Sequence, residues 1–262
     1  MKIMTFYEWR HASIKKVDPL ILKSIQCPEP KLVWVSHECI IEKNVTLYPM
    51  VHIRGKSGIG ENTTIDSGSY VTDSTICANC HVHPHTIVED SFIDEGCEIG
   101  PHAFIQTSSI GKGSHVGFTA QIKRSVLGTH TRAKHHCYIG DTNAGDEINF
   151  GAGSITANYD GIKKRPTVIE RGAFIGTNVN LVAPCIIGHD ALIAAGTTLR
   201  KEKINPHAAR CGEQCYDQLI MVKKKYAEKT KEQLSDIEME KKEKIEKIEI
   251  IAEIAQGYEG NP

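Results

Sequence analysis

Residues 65–110 carry the clearest repeat in the chain and read IDSGSYVTDSTICANCHVHPHTIVEDSFIDEGCEIGPHAFIQTSSI. An aliphatic residue recurs there at steps of six or five residues, and every third step is the short one, so the repeating unit is 17 residues long. Three short strands per unit, each with one aliphatic side chain pointing inward, enclose a triangular prism. The period therefore predicts an all-β solenoid in which residues 17 apart are neighbours on adjacent coils, about 4.8 Å apart.

The same register extends on both sides of this stretch. It starts at Ile41, is interrupted after Thr156 and resumes at Ile169, and its other members include Leu47, Ile53, Ile59, Ile122, Leu127, Ala133, Ile139, Ala144, Phe150, Ile175, Leu181, Ile187, Ile193 and Leu199. Four residues after an aliphatic position a small inward side chain is expected, and Cys80, Cys97, Cys137 and Cys185 stand there. These cysteines are therefore interpreted as small buried hydrophobic residues rather than as a metal or redox set.

Composition excludes several classes of protein. The 262 residues carry a formal net charge of −1, which argues against a nucleic-acid binder held by a basic field. No stretch approaches the roughly 18 apolar residues of a membrane helix, and the N-terminus does not look like a signal peptide. Nine cysteines are an odd number for a disulfide framework, so we expect reduced thiols and a cytoplasmic location.

The chain divides by pattern into three parts. Residues 1–35 lack the period, and we expect a short helix or two capping the first coil. Residues 36–210 form the solenoid, from which the stretch ANYDGIKKRPTV (157–168) leaves as an extruded loop. Residues 211–262 are highly charged with a thin apolar stripe, which predicts a long amphipathic helix and tail. That helix packs on the solenoid or a neighbour, or forms a bundle between subunits.

The segment HHCYIGDTNAGDEINFGAGSITANYDG (135–161), with LVAP at 181–184 and AAGTT at 194–198, carries a family resemblance. It resembles the acetyltransferase domain of the bifunctional N-acetylglucosamine-1-phosphate uridyltransferase/glucosamine-1-phosphate N-acetyltransferase family, among the hexapeptide-repeat acyltransferases. The resemblance covers roughly residues 36–210. It implies a left-handed parallel β-helix and a homotrimer with sites between subunits, in the biosynthesis of UDP-N-acetylglucosamine for the cell envelope. Residues 1–35 show no counterpart of the uridyltransferase domain, so we expect no uridyltransferase activity.

The resemblance also implies roles for individual residues. His135 falls on the catalytic base, which takes the proton of the acceptor amine as that amine attacks the thioester of acetyl-CoA. Contacts to the amino-sugar phosphate fall on Lys123, Tyr138, Asn149 and Lys164. Contacts to acetyl-CoA fall on Ala152, Asn158, Tyr159, Thr177, Ala195 and Arg210. Backbone N–H groups near Asn158 and Tyr159 would hold the developing oxyanion. No metal is expected for the acetyl transfer.

Two departures from the family pattern bear on the acceptor. The phosphate-binding Arg of the family falls at Ile105 or Gln106, neither of which is basic. A Glu that the family places near its catalytic His is Gln121 here. Gln121 lies 17 residues before Tyr138, so we expect it one coil below Tyr138 among the contacts to the acceptor. Glucosamine 1-phosphate is the acceptor that the family implies, and a nucleotide-linked amino sugar is the alternative.

Two other functions compete with acetyl transfer. One is a metal enzyme like the γ-class carbonic anhydrases, which hold zinc through three histidines. The candidate ligands would be His81, His83, His85, His115, His130 and His135, although the first three are expected together on the solvent side of a corner. The other is a catalytically weak homologue that serves as a scaffold, which the loss of the Glu and the Arg favours.

Overall fold

The structure is a computed structural model and describes residues 15–16, 24–212 and 214–216. These residues form three sheets of 11, 11 and 10 strands. Strands of successive coils pair in parallel within each sheet, except for one antiparallel pair at the N-terminal end of one sheet and one at the C-terminal end of another. His81 pairs with Glu98 and Val82 with Ile99, which is the 17-residue register. The predicted three-sided parallel solenoid is therefore confirmed.

The strands are two to four residues long, as a prism with sharp corners requires. Sheet A contains Lys15–Lys16, Trp34–Val35, His52–Arg54, Tyr70–Thr72, Ile87–Glu89, Phe104–Gln106, Gln121–Lys123, Tyr138–Gly140, Ile155–Ala157, Asn180–Val182 and Thr198–Arg200. Sheet B contains Thr46–Leu47, Thr64–Ile65, His81–Val82, Glu98–Ile99, His115–Phe118, Arg132–His135, Asn149–Phe150, Phe174–Ile175, Leu192–Ile193, Ala209–Cys211 and Gln214–Tyr216. Sheet C contains Ile40–Ile41, Gly58–Ile59, Thr75–Ile76, Phe92–Ile93, Ser109–Ile110, Val126–Leu127, Thr142–Ala144, Thr167–Ile169, Cys185–Ile187 and Lys203–Ile204.

One continuous core fills the prism. The inward residue of nearly every strand is fully buried, as Ile65, Val82 and Ile99 illustrate with no exposed surface. The four cysteines at the predicted small positions are also buried and free, which confirms their interpretation as core residues. Because each coil buries its aliphatic residues against the coils on either side, the outward side chains sit at fixed heights along the prism.

Two corners of the prism position the site. The chain passes from sheet B to sheet A at the BA corner, where His85, His102, Thr119 and His136 have a positive φ. It passes from sheet A to sheet C at the AC corner, where Asp73, Asp90, Thr107, Arg124 and Asp141 have a positive φ. Because the turn geometry repeats, each corner carries a vertical column of outward side chains.

The extruded loop is slightly shorter than predicted. Strand Ile155–Ala157 precedes it and strand Thr167–Ile169 follows it, so residues 158–166 leave the prism at the AC corner. Thr167 keeps the solenoid register by donating its N–H to the carbonyl of Asp141 at 3.1 Å. The loop is therefore an insertion into one corner, and the coils on both sides remain stacked.

The predicted start of the C-terminal helix at residue 211 is wrong. Strand Ala209–Cys211 continues sheet B and pairs antiparallel with Gln214–Tyr216. Gly212 lies in the reversal with a φ of +57°, a conformation that glycine adopts without steric cost. The rest of that predicted helix lies outside the described residues.

At the N-terminal end, residues 30–32 form a short 3-10 helix. Most of the predicted cap, residues 1–14 and 17–23, also lies outside the described residues. Within the described part of the chain, no helix has the length and apolar character needed to cross a membrane.

Candidate active site

The candidate base stands in a vertical column at the BA corner. His135 ends strand Arg132–His135 and is exposed. Backbone hydrogen bonds between coils stack the column: Gly153 N–H donates to His135 O (3.2 Å), Asn178 N–H to Ala152 O (2.8 Å) and Gly196 N–H to Thr177 O (2.8 Å). His135, Ala152, Thr177 and Ala195 therefore follow one another up one edge of the prism. The structure brings together the predicted base and three of the predicted acetyl-CoA contacts.

Side-chain size changes along this column at His135. In the preceding coil Phe118 pairs with His135, and its ring packs edge-on against His102 at 5.8 Å and His136 at 5.2 Å. In the following coils the column carries Ala152, Thr177 and Ala195, which are small. The C-terminal side of His135 is thus a shallow track that suits a thin, extended ligand, whereas a ring occupies the N-terminal side.

Three of the predicted acceptor contacts share the outer face of sheet A. Gln121 pairs with Tyr138, and Lys123 pairs with Gly140 in the same coil pair. Gly140 has no side chain, and the space that its Cβ would take is occupied by the Tyr138 hydroxyl and Asn158 Nδ2. This register confirms that Gln121 lies directly below Tyr138, as its spacing of 17 residues predicts.

The structure also shows the two positions on which the phosphate-binding Arg of the family could fall. Ile105 is fully buried in the core. Gln106 stands outward one coil below Lys123, and its Nε2 donates to Glu89 at 3.1 Å. Its buried Oε1 has no hydrogen-bond partner. Gln106 therefore lies between Glu89 in the preceding coil and Lys123 in the following one.

The AC corner holds a charged network that the sequence interpretation missed. Arg124 donates from Nε and Nη2 to the two carboxylate oxygens of Asp141 at 2.6 and 2.8 Å. Asn158 Nδ2 donates to Asp141 and also to the hydroxyl of Tyr138, the latter at 3.3 Å. The hydrogen bond from Arg124 lowers the pKa of Asp141, and the bond from Asn158 and the charge of Lys164 act in the same direction.

The side chain of Asn158 takes part in this network. Its side chain is buried and already bonded to Asp141 and Tyr138, so any contact it makes to acetyl-CoA would come from its backbone. The spacing of 17 between Arg124 and Asp141 indicates that they are neighbours on adjacent coils, and their opposite charges are the further signal for a contact.

The extruded loop is a hairpin that is closed by its own hydrogen bonds. The carboxylate of Asp160 accepts the N–H groups of Ile162 at 2.9 Å and Lys163 at 2.8 Å, and Nε of Arg165 at 2.8 Å. The Lys163 N–H bond is the largest cause of a lowered Asp160 pKa, followed by the Arg165 bond. At the tip Ile162 is 89% exposed and Tyr159 is 61% exposed. The loop therefore presents an apolar tip on a preformed turn.

The structure separates the remaining predicted residues. Lys164 and Tyr159 belong to the loop at the AC corner, whereas His135 stands at the BA corner, and the width of sheet A lies between these corners. Asn149 is on the outer face of sheet B, paired with Arg132. Arg210 pairs with Ile193 in the last parallel coil, and its Nη2 lies 3.4 Å from Glu202. Within one chain these residues do not converge on His135.

A groove with a volume of about 840 Å³ runs along the AC corner. Its lining includes Asp90, Phe92, Arg124, Asp141 and Pro166, and His135 is not among its residues. A groove that carries the ion pair but not the base does not by itself form the acetyl-transfer site. A site completed by a second chain would not appear as a cavity in one chain.

The histidines considered as zinc ligands are dispersed. His81 and His83 meet Asp66 on the outer face of sheet B, but His85 stands at the BA corner and stacks on His102 at 5.1 Å. The expectation that these three lie together at one corner is wrong, because the chain turns between His83 and His85. His115 pairs with Glu98, its Nδ1 at 3.3 Å, and His130 packs beside Gly113 at the corner between sheets C and B.

Comparisons with known proteins agree with this architecture. The family model described as GMPPB C-terminal domain matches residues 35–110. The model described as bacterial transferase hexapeptide (six repeats) matches residues 166–201. Together they cover parts of the solenoid on both sides of the candidate site.

Curated relatives match a longer stretch. The chain is 38% identical over 199 residues to the bifunctional protein GlmU of Thermotoga maritima, which is 76% of this chain and 44% of that protein. It is 41% identical over 181 residues to the bifunctional protein GlmU of Thermodesulfovibrio yellowstonii, covering 69% of this chain and 40% of that protein. The chain thus matches less than half the length of these relatives. The resemblance to this family is confirmed.

Among solved structures, the UDP-N-acetylglucosamine acyltransferase of Francisella novicida is 18% identical, with a TM-score of 0.45, and the match covers 73% of this chain and 68% of that one.

Proposed function

Because this chain is homologous to the hexapeptide-repeat acetyltransferase part of the GlmU proteins, we propose that it transfers the acetyl group of acetyl-CoA to the amine of an amino-sugar phosphate. His135 is the general base and glucosamine 1-phosphate is the first acceptor to test. The coils wind in the left-handed sense of that family.

The observation that carries this proposal is the column at the BA corner. His135 is followed one coil later by Ala152, and then by Thr177 and Ala195. A pantetheine arm lying along these small residues brings its thioester to His135. The imidazole accepts a proton from the attacking amine, a C–N bond forms and the C–S bond breaks. The coenzyme A sulfur then takes up a proton, so the imidazole is regenerated.

The acceptor is proposed to lie on the outer face of sheet A. Lys123 supplies a positive charge for a phosphate there, and Tyr138 and Gln121 supply polar atoms beside it. Glu89 holds Gln106 at the position of the absent Arg, and a carboxylate there disfavours a second phosphate contact. We therefore favour a monophosphate acceptor over a nucleotide-linked one.

The site is proposed to be shared between subunits of a homotrimer. His135 and Lys164 stand at different corners of one chain, and the loop that carries Lys164 ends in the exposed side chains of Ile162 and Tyr159. Placing the loop of one subunit against the BA corner of the next would cover these side chains. It would also bring Lys164 and the backbone N–H groups near Asn158 and Tyr159 to the neighbour's His135.

A thiol-release assay with acetyl-CoA and a panel of amino sugars and their phosphates tests the activity. The variant Ala152→Leu would place a bulky side chain in the track, and we expect the KM for acetyl-CoA to rise at least tenfold. Ala78→Leu is the matched control, because Ala78 precedes a positive-φ residue at another corner, between sheets C and B. No thiol release with any acceptor, together with no binding of acetyl-CoA, would favour the scaffold alternative.

A further inference from the structure

A second group of functional side chains lies on the outer face of sheet B, apart from the candidate active site. His81 pairs with Thr64 and Val82 with Ile65, so His83 stacks directly on Asp66 in the adjacent coil. Asp66 Oδ2 is 2.8 Å from His81 Nε2 and 3.8 Å from His83 Nδ1. The two imidazole rings are 4.0 Å apart. Two imidazoles and a carboxylate thus converge from two coils.

The backbone fixes these three residues before any ligand arrives. Asp66 donates its N–H to the carbonyl of Val82 at 2.8 Å, and His83 donates to that of Ile99 at 2.7 Å. The side chains are between 19% and 42% exposed, with Asp66 the most buried. A site on strands of a rigid solenoid needs little reorganisation on binding, which favours affinity.

The donor set suits a borderline divalent cation. Imidazole nitrogens and a carboxylate oxygen are ligands of Zn²⁺, with bonds of about 2.0–2.2 Å that place neighbouring donor atoms roughly 3.3 Å apart in a tetrahedron. The separations of 2.8 and 3.8 Å from Asp66 to the two histidines bracket that value. We propose that Asp66, His81 and His83 form a Zn²⁺-binding site that joins two adjacent coils, with its fourth position open to water.

The next coil places a carboxylate beside one histidine of the cluster and a glycine beside the other. Glu98 stands directly above His81 and adds a second carboxylate nearby. Above His83 the next coil carries Gly100, which has no side chain of its own. A Cβ at Gly100 would clash with Thr86 Oγ1 and lie 3.2 Å from His83 Cβ, and the φ of Gly100 is +101°. Thr86 therefore already occupies the space beside Gly100, and glycine is required at this position of the next coil.

This site is separate from the proposed acetyl transfer. Lys134, the residue before His135, stands three coils above His83, a distance of about 14 Å at the usual spacing between strands. The cation would tie the coil of Asp66 to the coil of the two histidines, so its expected effect is thermal stabilisation. Loss of the cation should not change the proposed acetyl-transfer activity, because that activity depends on other residues.

The test uses the full chain with any affinity tag removed, since a histidine tag would itself bind zinc. Reduced protein is treated with a chelator, dialysed and titrated with ZnCl₂ alone by calorimetry, and its melting temperature is recorded with and without Zn²⁺. We expect one tight site per chain and a higher melting temperature with Zn²⁺. Titration with Co²⁺ should give a spectrum without the thiolate charge-transfer band that a cysteine site would produce.

Three variants and two controls assign the site. His81→Ala, His83→Ala and Asp66→Asn should each weaken Zn²⁺ binding at least tenfold and abolish the gain in melting temperature. His85→Ala is the matched control from the same segment, because His85 stacks on His102 instead. His207→Ala probes the other described His–Asp–His group, at His189, Asp190 and His207, which is more exposed. Circular dichroism checks that each variant is folded.

The proposal is overturned if the wild-type chain binds no Zn²⁺. It is equally overturned if folded His81→Ala and His83→Ala bind it as tightly as the wild type, or if only His207→Ala loses the site. Because thiol release is measured separately, none of these results bears on the acetyl-transfer proposal.

Discussion

Arg124 and Asp141 form a two-pronged ion pair between adjacent coils, with N–O distances of 2.6 and 2.8 Å. The side chains are 29% and 19% exposed. Asn158, the first residue of the extruded loop, is bonded to the same carboxylate. The pair therefore anchors the base of the loop to the prism, and the loop carries the proposed contribution to a neighbouring site.

Breaking this pair should destabilise the protein measurably. Arg124→Gln leaves a partly buried carboxylate without its strongest partner, and we expect the free energy of unfolding to fall by about 1–2 kcal/mol. Denaturant-induced unfolding followed by circular dichroism measures this. Lys112→Gln is the matched control, because Lys112 and Glu95 form an exposed pair 17 residues apart, and pairs of that kind contribute about 0–1 kcal/mol. Equal losses in the two variants would contradict the anchoring role.

Removing the proposed base should affect turnover more than binding. His135→Ala is expected to lower kcat by about 10²–10⁴-fold, because the acceptor amine then loses its general base, while the affinity for acetyl-CoA stays nearly unchanged. Steady-state thiol release and direct binding of acetyl-CoA give the two quantities. His130→Ala, at a different corner, should behave like the wild type. If His135→Ala keeps more than about a third of the wild-type turnover, another group is the base.

Restoring the family carboxylate should change the pH profile. Gln121 pairs with Tyr138 on the face proposed for the acceptor, so Gln121→Glu places a negative charge on that face. A carboxylate within about 4–6 Å of an imidazole raises its pKa, commonly by ~1–3 units, and makes it a stronger base. We expect kcat/KM for glucosamine 1-phosphate to increase, with its acidic limb moved to higher pH, in measurements from pH 6 to 9.

Two other outcomes for Gln121→Glu would contradict this prediction. A decrease in activity would indicate that Gln121 hydrogen-bonds a different acceptor. An unchanged rate and pH profile would show that residue 121 is outside the site.

Subunit mixing should reveal a shared site. We expect a trimeric mass by light scattering, and little activity from His135→Ala or Lys164→Ala alone. Co-expressed trimers of the two variants should regain about a quarter of the wild-type activity, because random assembly pairs an intact His135 with an intact Lys164 of another chain at about one site in four. No recovery in mixed trimers would place both residues of a site in one chain, and a monomeric mass would exclude the trimer.

Acid should weaken the first coils through His52. Its ring stacks between Trp34 at 4.4 Å and Tyr70 at 4.5 Å. Burial, and then the charge of Arg54, lower the pKa of His52 from 6.5 to about 4. The folded state therefore binds fewer protons than the unfolded chain between these values, so stability falls as the pH drops from about 6.5 towards 4.

Replacing this imidazole isolates its contribution. His52→Phe keeps a ring in the stack but cannot take up a proton, so its melting temperature should fall less between pH 7 and pH 5 than that of the wild type. Differential scanning calorimetry at the two pH values measures both drops. Identical drops would show that His52 titrates normally in the folded protein.

Much of the site could be predicted from spacing alone. The period of 17 placed Gln121 below Tyr138 and Ala152 beside His135, and the structure confirms both neighbours. This works because each coil repeats the last, so a sequence interval translates directly into a spatial one. The corner side chains were harder to predict, because the interval says which residues are stacked but not which side chains bond. The ion pair of Arg124 with Asp141 was missed for that reason.

The spacing of hydrophobic residues was enough to predict the solenoid, its 17-residue register and the inward positions of its aliphatic residues and cysteines, because these depend on local periodicity and burial. The folded chain was needed to show that the loop closes on Asp160, that the chain reverses at Gly212, and that His135 and Lys164 lie at different corners. Those features depend on backbone turns and side-chain contacts between coils, which the spacing of hydrophobic residues does not encode.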